Sequence, residues 1–325
     1  MMRSSQPLIP LWAVLVGLSL AGCNSLPSGQ ADARVVDATF RDAGSRDATM
    51  ADGGSVADAF AAPSALQAVV NKLLVPTSGT EYARDYEGKG EKKNRFGTIN
   101  QLVSSFNLGL TVQATFDNIL DGAVWILLVE LFADSLGGSG PAQLKGYVGE
   151  DQDAVHTAED NFSGSELFGK KSTAGLFTLP GTLASGAVKV GPASGTFPIW
   201  VEGAEVVTAR FERLEVTAKA SASGMTEGQL TGLVPKSDWN EKVIPRVVRQ
   251  IDYTYKHPST SQSSRDKLRD VFDANKDGTI TVDEFMGNTA ISSALGPDVD
   301  TDGDGKPDAV SMGLGFTAVP CTIKK

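Results

Sequence analysis

Cysteine and histidine are nearly missing from this chain: two of each in 325 residues, Cys23, Cys321, His156 and His257. A framework of several disulfides is excluded, and so are a Cys–His zinc set and an H-E-x-x-H helix. No G-x-S-x-G elbow occurs, so a lipase-type triad has no nucleophile. Basic charge is short as well. Lys and Arg number 29 against 39 Asp and Glu, for a net −10, which excludes nucleic acid, whose phosphates need a basic face. Gly164, Gly169 and Lys170 have Walker A spacing, but Lys171 stands where Ser or Thr must hold magnesium. The segment is read as a basic surface turn. Aromatics are few at 7%, whereas glycine is plentiful at 35 residues. That balance suits a soluble, β-rich, turn-rich body.

The one long apolar run lies at the front. Arg3 precedes LIPLWAVLVGLSLAG, which is too short for a comfortable membrane span and has the form of a signal peptide. It ends in Leu20, Ala21, Gly22, Cys23, which resembles the bacterial lipobox. The resemblance implies lipidation of Cys23 and a membrane partner reached through that lipid. Asn24, standing where an Asp would imply retention at the inner membrane, implies the outer membrane or cell surface. With Cys23 lipidated, Cys321 has no partner in the chain. Asp then recurs at 32, 37, 42, 47, 52 and 58 with little apolar content between. Such a segment stays disordered and would reach roughly 30–40 Å as a flexible coil.

Residues 64–75, SALQAVVNKLLV, read as a helix capped by Ser64. Ile99, Leu102, Val103 and Phe106 set a second helix over 97–107, and a third runs over 111–120. AVWILLVELFAD, 123–134, reads as a buried strand, with a buried helix segment as the alternative that periodicity leaves open. From 142 to 234 the pattern is β throughout, with a slip of phase near Arg213 that a bulge would produce. A helix follows from Lys236 to Tyr255, with Ser237 as cap and a kink at Pro245. His156 is read as a surface residue, and Trp200 and Trp239 as core or helix-staple residues.

The sharpest signal is DANKDGTITVDEF, 273–285. A calcium loop needs oxygens at positions 1, 3 and 5, Gly at 6, a carbonyl at 7, a water-linked group at 9 and Glu at 12. Asp273, Asn275, Asp277, Gly278, Thr279, Thr281 and Glu284 fill them, with Leu268, Val271 and Phe272 before and Phe285, Met286, Ile291 and Leu295 after. Over 263–295 the chain resembles the EF-hand family, interrupted at Gly287 and Asn288. Five Asp then fall within 298–308. Asp300, Asp302, Asp304, Gly305, the Lys306 carbonyl and Asp308 resemble the loops of dockerins and thrombospondin type 3 repeats. Ser311 at position 12 and Pro307 at position 8, which has no N–H to share, depart from an EF-hand pair. DYEGKGEKKN, 85–94, repeats the spacing with Lys89 and Lys93 at ligand positions, either as a copy whose site has decayed or by coincidence. After the second loop, Val310, Met312, Leu314, Phe316 and Ala318 alternate as a strand.

The expected fold is α+β: a β-rich body, sandwich or open barrel, with flanking helices, then an EF-hand-like helical segment and a final strand. The divisions are 1–22 signal peptide, 23–62 tether, 63–255 body and 256–325 calcium segment. In its order of parts the chain resembles exported lipoproteins of myxobacterial type. The function expected is that of a lipid-anchored, extracytoplasmic, non-catalytic Ca²⁺ protein with structural calcium and a ligand- or envelope-binding role. The alternative is a calcium-dependent carbohydrate hydrolase with paired carboxylates drawn from Glu150, Asp151, Asp153, Glu159 and Asp160. A calcium sensor is a third reading.

Overall fold

A strand reads as a continuous apolar run when both its faces are covered, and two segments near the front of the body show this. Along β2 (Leu127–Phe132), Leu127, Val129 and Leu131 point into one core, while Leu128, with neighbouring Ile126, packs into a second cluster on the opposite face. In β1 (Leu66–Leu74), Ala68, Val70 and Leu73 join the first core and Val69 the second. The expected helix over 64–75 is therefore corrected to a strand. A bulge between Val70 and Lys72 shifts its phase, which breaks the two-residue alternation and leaves apolar residues at helical spacing.

The structure, a computed structural model, describes residues 65–105, 112–153, 155, 157–172, 175–200, 206–258 and 260–324. The leader, Cys23, the tether, Ser64, Phe106 and His156 lie outside the described residues, as does the Trp200 side chain. The fold mixes helix and sheet. After β1 come α1 (Arg95–Ser105), α2 (Val112–Asp121), β2, β3 (Ser139–Asp151), α3 (Ala158–Asn161) and β4 (Leu167–Lys170). The strands β5 (Phe177–Ala184), β6 (Ala187–Trp200), β7 (Val206–Ser221) and β8 (Gly224–Pro235) follow. Helices α4 (Ile244–Lys256), α5 (Gln262–Phe272), α6 (Val282–Gly287) and α7 (Thr289–Leu295) precede β9 (Ala309–Pro320) and β10 (Thr322–Ile323). None of the described helices is long and apolar enough to cross a membrane.

Eight strands close into an antiparallel barrel, in the order β3-β2-β1-β9-β8-β7-β6-β5, with β5 returning to β3 from Ser139↔Ala184 to Gly146↔Phe177. The expected sandwich or open barrel is corrected accordingly: closure leaves no edge in the ring to pair with another chain. Glycine serves the curvature. Gly146 and Gly228 stand opposite Phe177 and Phe316 on the neighbouring strands, and a Cβ on either glycine would fall within 3 Å of that ring. Arg213 sits at a left-handed φ of 49° where β7 slips register between Glu212 and Glu215, the expected bulge.

Eight strands enclose just enough room for side chains. Leu144, Phe177, Phe197, Leu230, Leu314 and Phe316 fill it and, with their neighbours, leave a cavity of about 20 Å³. Its wholly apolar lining offers a water no partner. On the outer face, β4 and β10 pair in parallel and cover Val69, Leu128 and Tyr147 with Phe168 and Ile323. Residues 167–170 are thus a strand and not the basic turn expected for them. Lys170 Nζ lies 2.6 Å from Glu130 Oε2 and 3.9 Å from the Tyr147 ring centre. Burial would raise the Glu130 carboxyl, but the bonds from Lys170 and Gln67 bring it below its ordinary value. Cys321 is free beside this cluster, its thiol pushed up to about 12 by burial and then by Glu130 and Glu166.

Ser237 is not a cap. The helix begins after Pro235, without a side-chain bond, and passes through a π turn at Trp239–Val243 in which the Ile244 N–H bonds Trp239 O. The Pro245 ring removes the next N–H, which is where the helix departs from ideal spacing. Trp239 is buried and donates from Nε1 to Leu295 O at 2.8 Å, tying this turn to α7.

Candidate functional site

Three loops share one turn. In each, an aspartate Oδ2 accepts the N–H of a glycine five residues on: Asp85 from Gly90 at 2.7 Å, Asp273 from Gly278 at 3.0 Å and Asp300 from Gly305 at 2.9 Å. The glycines have φ of 85°, 84° and 86°, a left-handed backbone that a Cβ disfavours. The loops sit between α5 and α6, between α7 and β9, and ahead of α1.

The 273–284 loop is built from local bonds. Phe272 ends α5, and Asp273, only 2% exposed, caps it. Asn275 Oδ1 accepts from Asp277 N at 2.8 Å, and Asp277 Oδ1 from Thr279 N at 2.8 Å. Each oxygen of positions 1, 3 and 5 is therefore turned toward the inside of the loop. Thr281 caps α6, and Glu284 completes a capping box. The Glu284 carboxylate accepts from Thr281 Oγ1 at 2.8 Å and from the N–H groups of Thr281 and Asn275, which hold its pKa below the usual range. Asn288 ends α6 and caps α7, the break expected at Gly287 and Asn288.

The position-8 N–H, that of Ile280, bonds Asp252 Oδ1 of α4 at 2.9 Å. Tyr255 Oη reaches Asp273 at 3.5 Å and Lys256 Nζ reaches Thr279 Oγ1 at 3.3 Å. Helix α4 thus occupies the place that a second loop would take beside Ile280. No sequence motif marks Asp252, because its role depends on how α4 packs.

The 300–308 loop repeats the pattern. Asp302 Oδ1 accepts from Asp304 N at 3.1 Å and Asp304 Oδ1 from Lys306 N at 2.7 Å. Ligand atoms of Asp300, Asp302 and Asp304 all lie within 4.8 Å of one another. The Gly305 N–H bond is the main cause that holds Asp300 below its ordinary pKa. Asp308 stands apart from these three, with its carboxylate taking Thr301 N at 2.8 Å and Thr301 Oγ1 at 2.6 Å. Nearby Asp298 accepts from Ser311 N and Oγ and fastens the loop to β9. Ser311, at position 12, has no carboxylate to close a shell, and its hydroxyl donates to Asp298.

No known protein family, curated protein or solved structure matches this chain. What the loops can do must be judged from their atoms. Calcium takes about six to eight oxygens at 2.3–2.6 Å. Around the 300–304 turn three carboxylates lie close enough to share an ion, and the Lys306 carbonyl with water would complete the shell. Asp273, Asn275, Asp277, the Thr279 carbonyl and Glu284 form the other set. Asp273, Asp277 and Glu284 are not drawn into a single group; Glu284 would exchange its capping bonds for an ion. Both donor sets are hard oxygen and fit Ca²⁺ better than a softer metal.

Among the remaining acids, Asp151, Asp153 and Glu166 come within 4.8 Å of one another where β3 gives way to β4. Glu150, Glu159 and Asp160 are not in this group.

Proposed function

We propose that this is a lipid-anchored, extracytoplasmic calcium protein without catalysis, whose two carboxyl-terminal loops hold structural Ca²⁺ and fasten the α5–α7 segment to the barrel through β9. The observation that carries this reading is the aspartate-to-glycine turn shared by Asp273 and Asp300, together with ligand oxygens of Asp300, Asp302 and Asp304 that all lie within 4.8 Å of one another. Bare carboxylates a few ångströms apart repel, and a divalent ion relieves that repulsion. The docking of Ile280 on Asp252 favours a fixed hand over one that opens as a sensor does. Attachment through Cys23 rests on the lipobox-like sequence.

Metal analysis of the full-length chain should find two calcium ions. Chelation should lower its melting temperature without exposing a groove that binds a hydrophobic dye. Glu284→Ala with Asp302→Ala should remove both the calcium and its effect on melting. A double variant that keeps the wild-type metal content and melting temperature would defeat the proposal.

A further inference from the structure

The front loop, 85–94, has the backbone of the 300–308 loop but not its chemistry. Asp85 collects the N–H groups of Gly88 at 2.7 Å and Gly90 at 2.7 Å, as Asp300 collects those of Gly303 at 2.8 Å and Gly305 at 2.9 Å. The closing bonds agree as well: Lys93 N to Arg84 O is 2.9 Å, and Asp308 N to Val299 O is 2.9 Å. Aligned this way, Glu87 stands for Asp302, Lys89 for Asp304 and Lys93 for Asp308. The Glu87 carboxylate meets the Lys93 ammonium at 2.8 Å and the Lys89 ammonium at 3.1 Å. The front loop therefore carries its cations on its own side chains.

The two loops also touch. Glu87 Oε1, already bound to Lys93, accepts from Asp300 N at 3.2 Å, and Lys93 Nζ donates to Asp298 O at 2.7 Å. Lys93 thus links the Glu87 carboxylate to the backbone that opens the acidic loop.

We infer that Lys89 and Lys93 stand in for a divalent ion in the 85–94 loop, and that this ammonium-filled loop is the fixed half of a pair whose other half takes calcium. The inference rests on the calcium reading of the 300–308 loop. It explains why the front loop keeps the turn without the acids: the charge on Glu87 is answered within the chain at any calcium concentration.

The test is to return the front loop to ligand chemistry. Lys89→Asp with Lys93→Asp, made in the full-length chain, should bind one Ca²⁺ more than the wild type by calorimetric titration. Lys89→Asp with Lys93→Ser, which copies the hydroxyl that Thr281 supplies at position 9, should do the same. An unchanged number of ions in both folded variants, or failure of both to fold with calcium present, overturns the inference. If instead the wild type binds no calcium at all, it is the calcium proposal that has failed.

Discussion

The barrel and the loops below it are held by opposite means. In the barrel, closure from β5 to β3 satisfies the backbone, and packed apolar side chains occupy the interior, so its order depends on no ion. At the loops, the ordering groups are carboxylates that gather N–H groups and repel each other. The first kind of order is indifferent to solution chemistry. The second is conditional, and the front loop shows how a chain can remove the condition by supplying lysine.

This contrast can be attacked first at the barrel. Phe316→Ala should cost about 3–5 kcal/mol by urea unfolding, since it empties the interior and uncovers Gly228. The loss should be equal with calcium and with chelator. Lys170→Met comes next. It leaves the buried Glu130 without its cation and should cost about 3 kcal/mol, at the lower end of the range because Lys170 is partly exposed. Adding Glu130→Gln should recover much of that loss. Chelation should remove about 2.7 kcal/mol per loop when calcium stands a hundredfold above its dissociation constant, with the largest fall in hydrogen-exchange protection beyond α4 and at the 85–94 loop that touches it.

Acid gives the smallest and most local effect. Glu87 is held down to about 2, chiefly by its bond from Lys93, then by the Asp300 N–H and Lys89. A depressed carboxyl contributes stability above its unfolded pKa, about 4.3, and loses it as pH falls toward 2. The Glu87 carboxyl resonance should thus titrate near 2, and Lys93→Met should move it upward.

Periodicity and turn chemistry made much of the body legible. The strands β5 to β8, the bulge at Arg213, the break at Asn288 and the buried Trp239 could be read from residue pattern, whereas β4 and the short helix α3, inside a stretch expected to be β throughout, could not. The turn shared by Asp85, Asp273 and Asp300 was visible as spacing, since only glycine fits its sixth position. What pattern could not supply was partnership across the chain. β1 was misread because both faces are covered and a bulge interrupts its alternation. Ring closure depends on a pairing between β3 and β5 that no local signal announces. Asp252 and Glu130 act through neighbours 28 and 40 residues away, Ile280 and Lys170.

The position of β9, between β1 and β8, has a consequence for how the molecule comes to be folded. The ring joins β1 to the strand that follows all its other members in the chain, so contacts of long sequence separation complete it. Such topologies fold slowly. Until Ala309–Pro320 has emerged, β1 and β8 each present a bare edge, and the nascent barrel must stay open or guarded while all its other strands are already made.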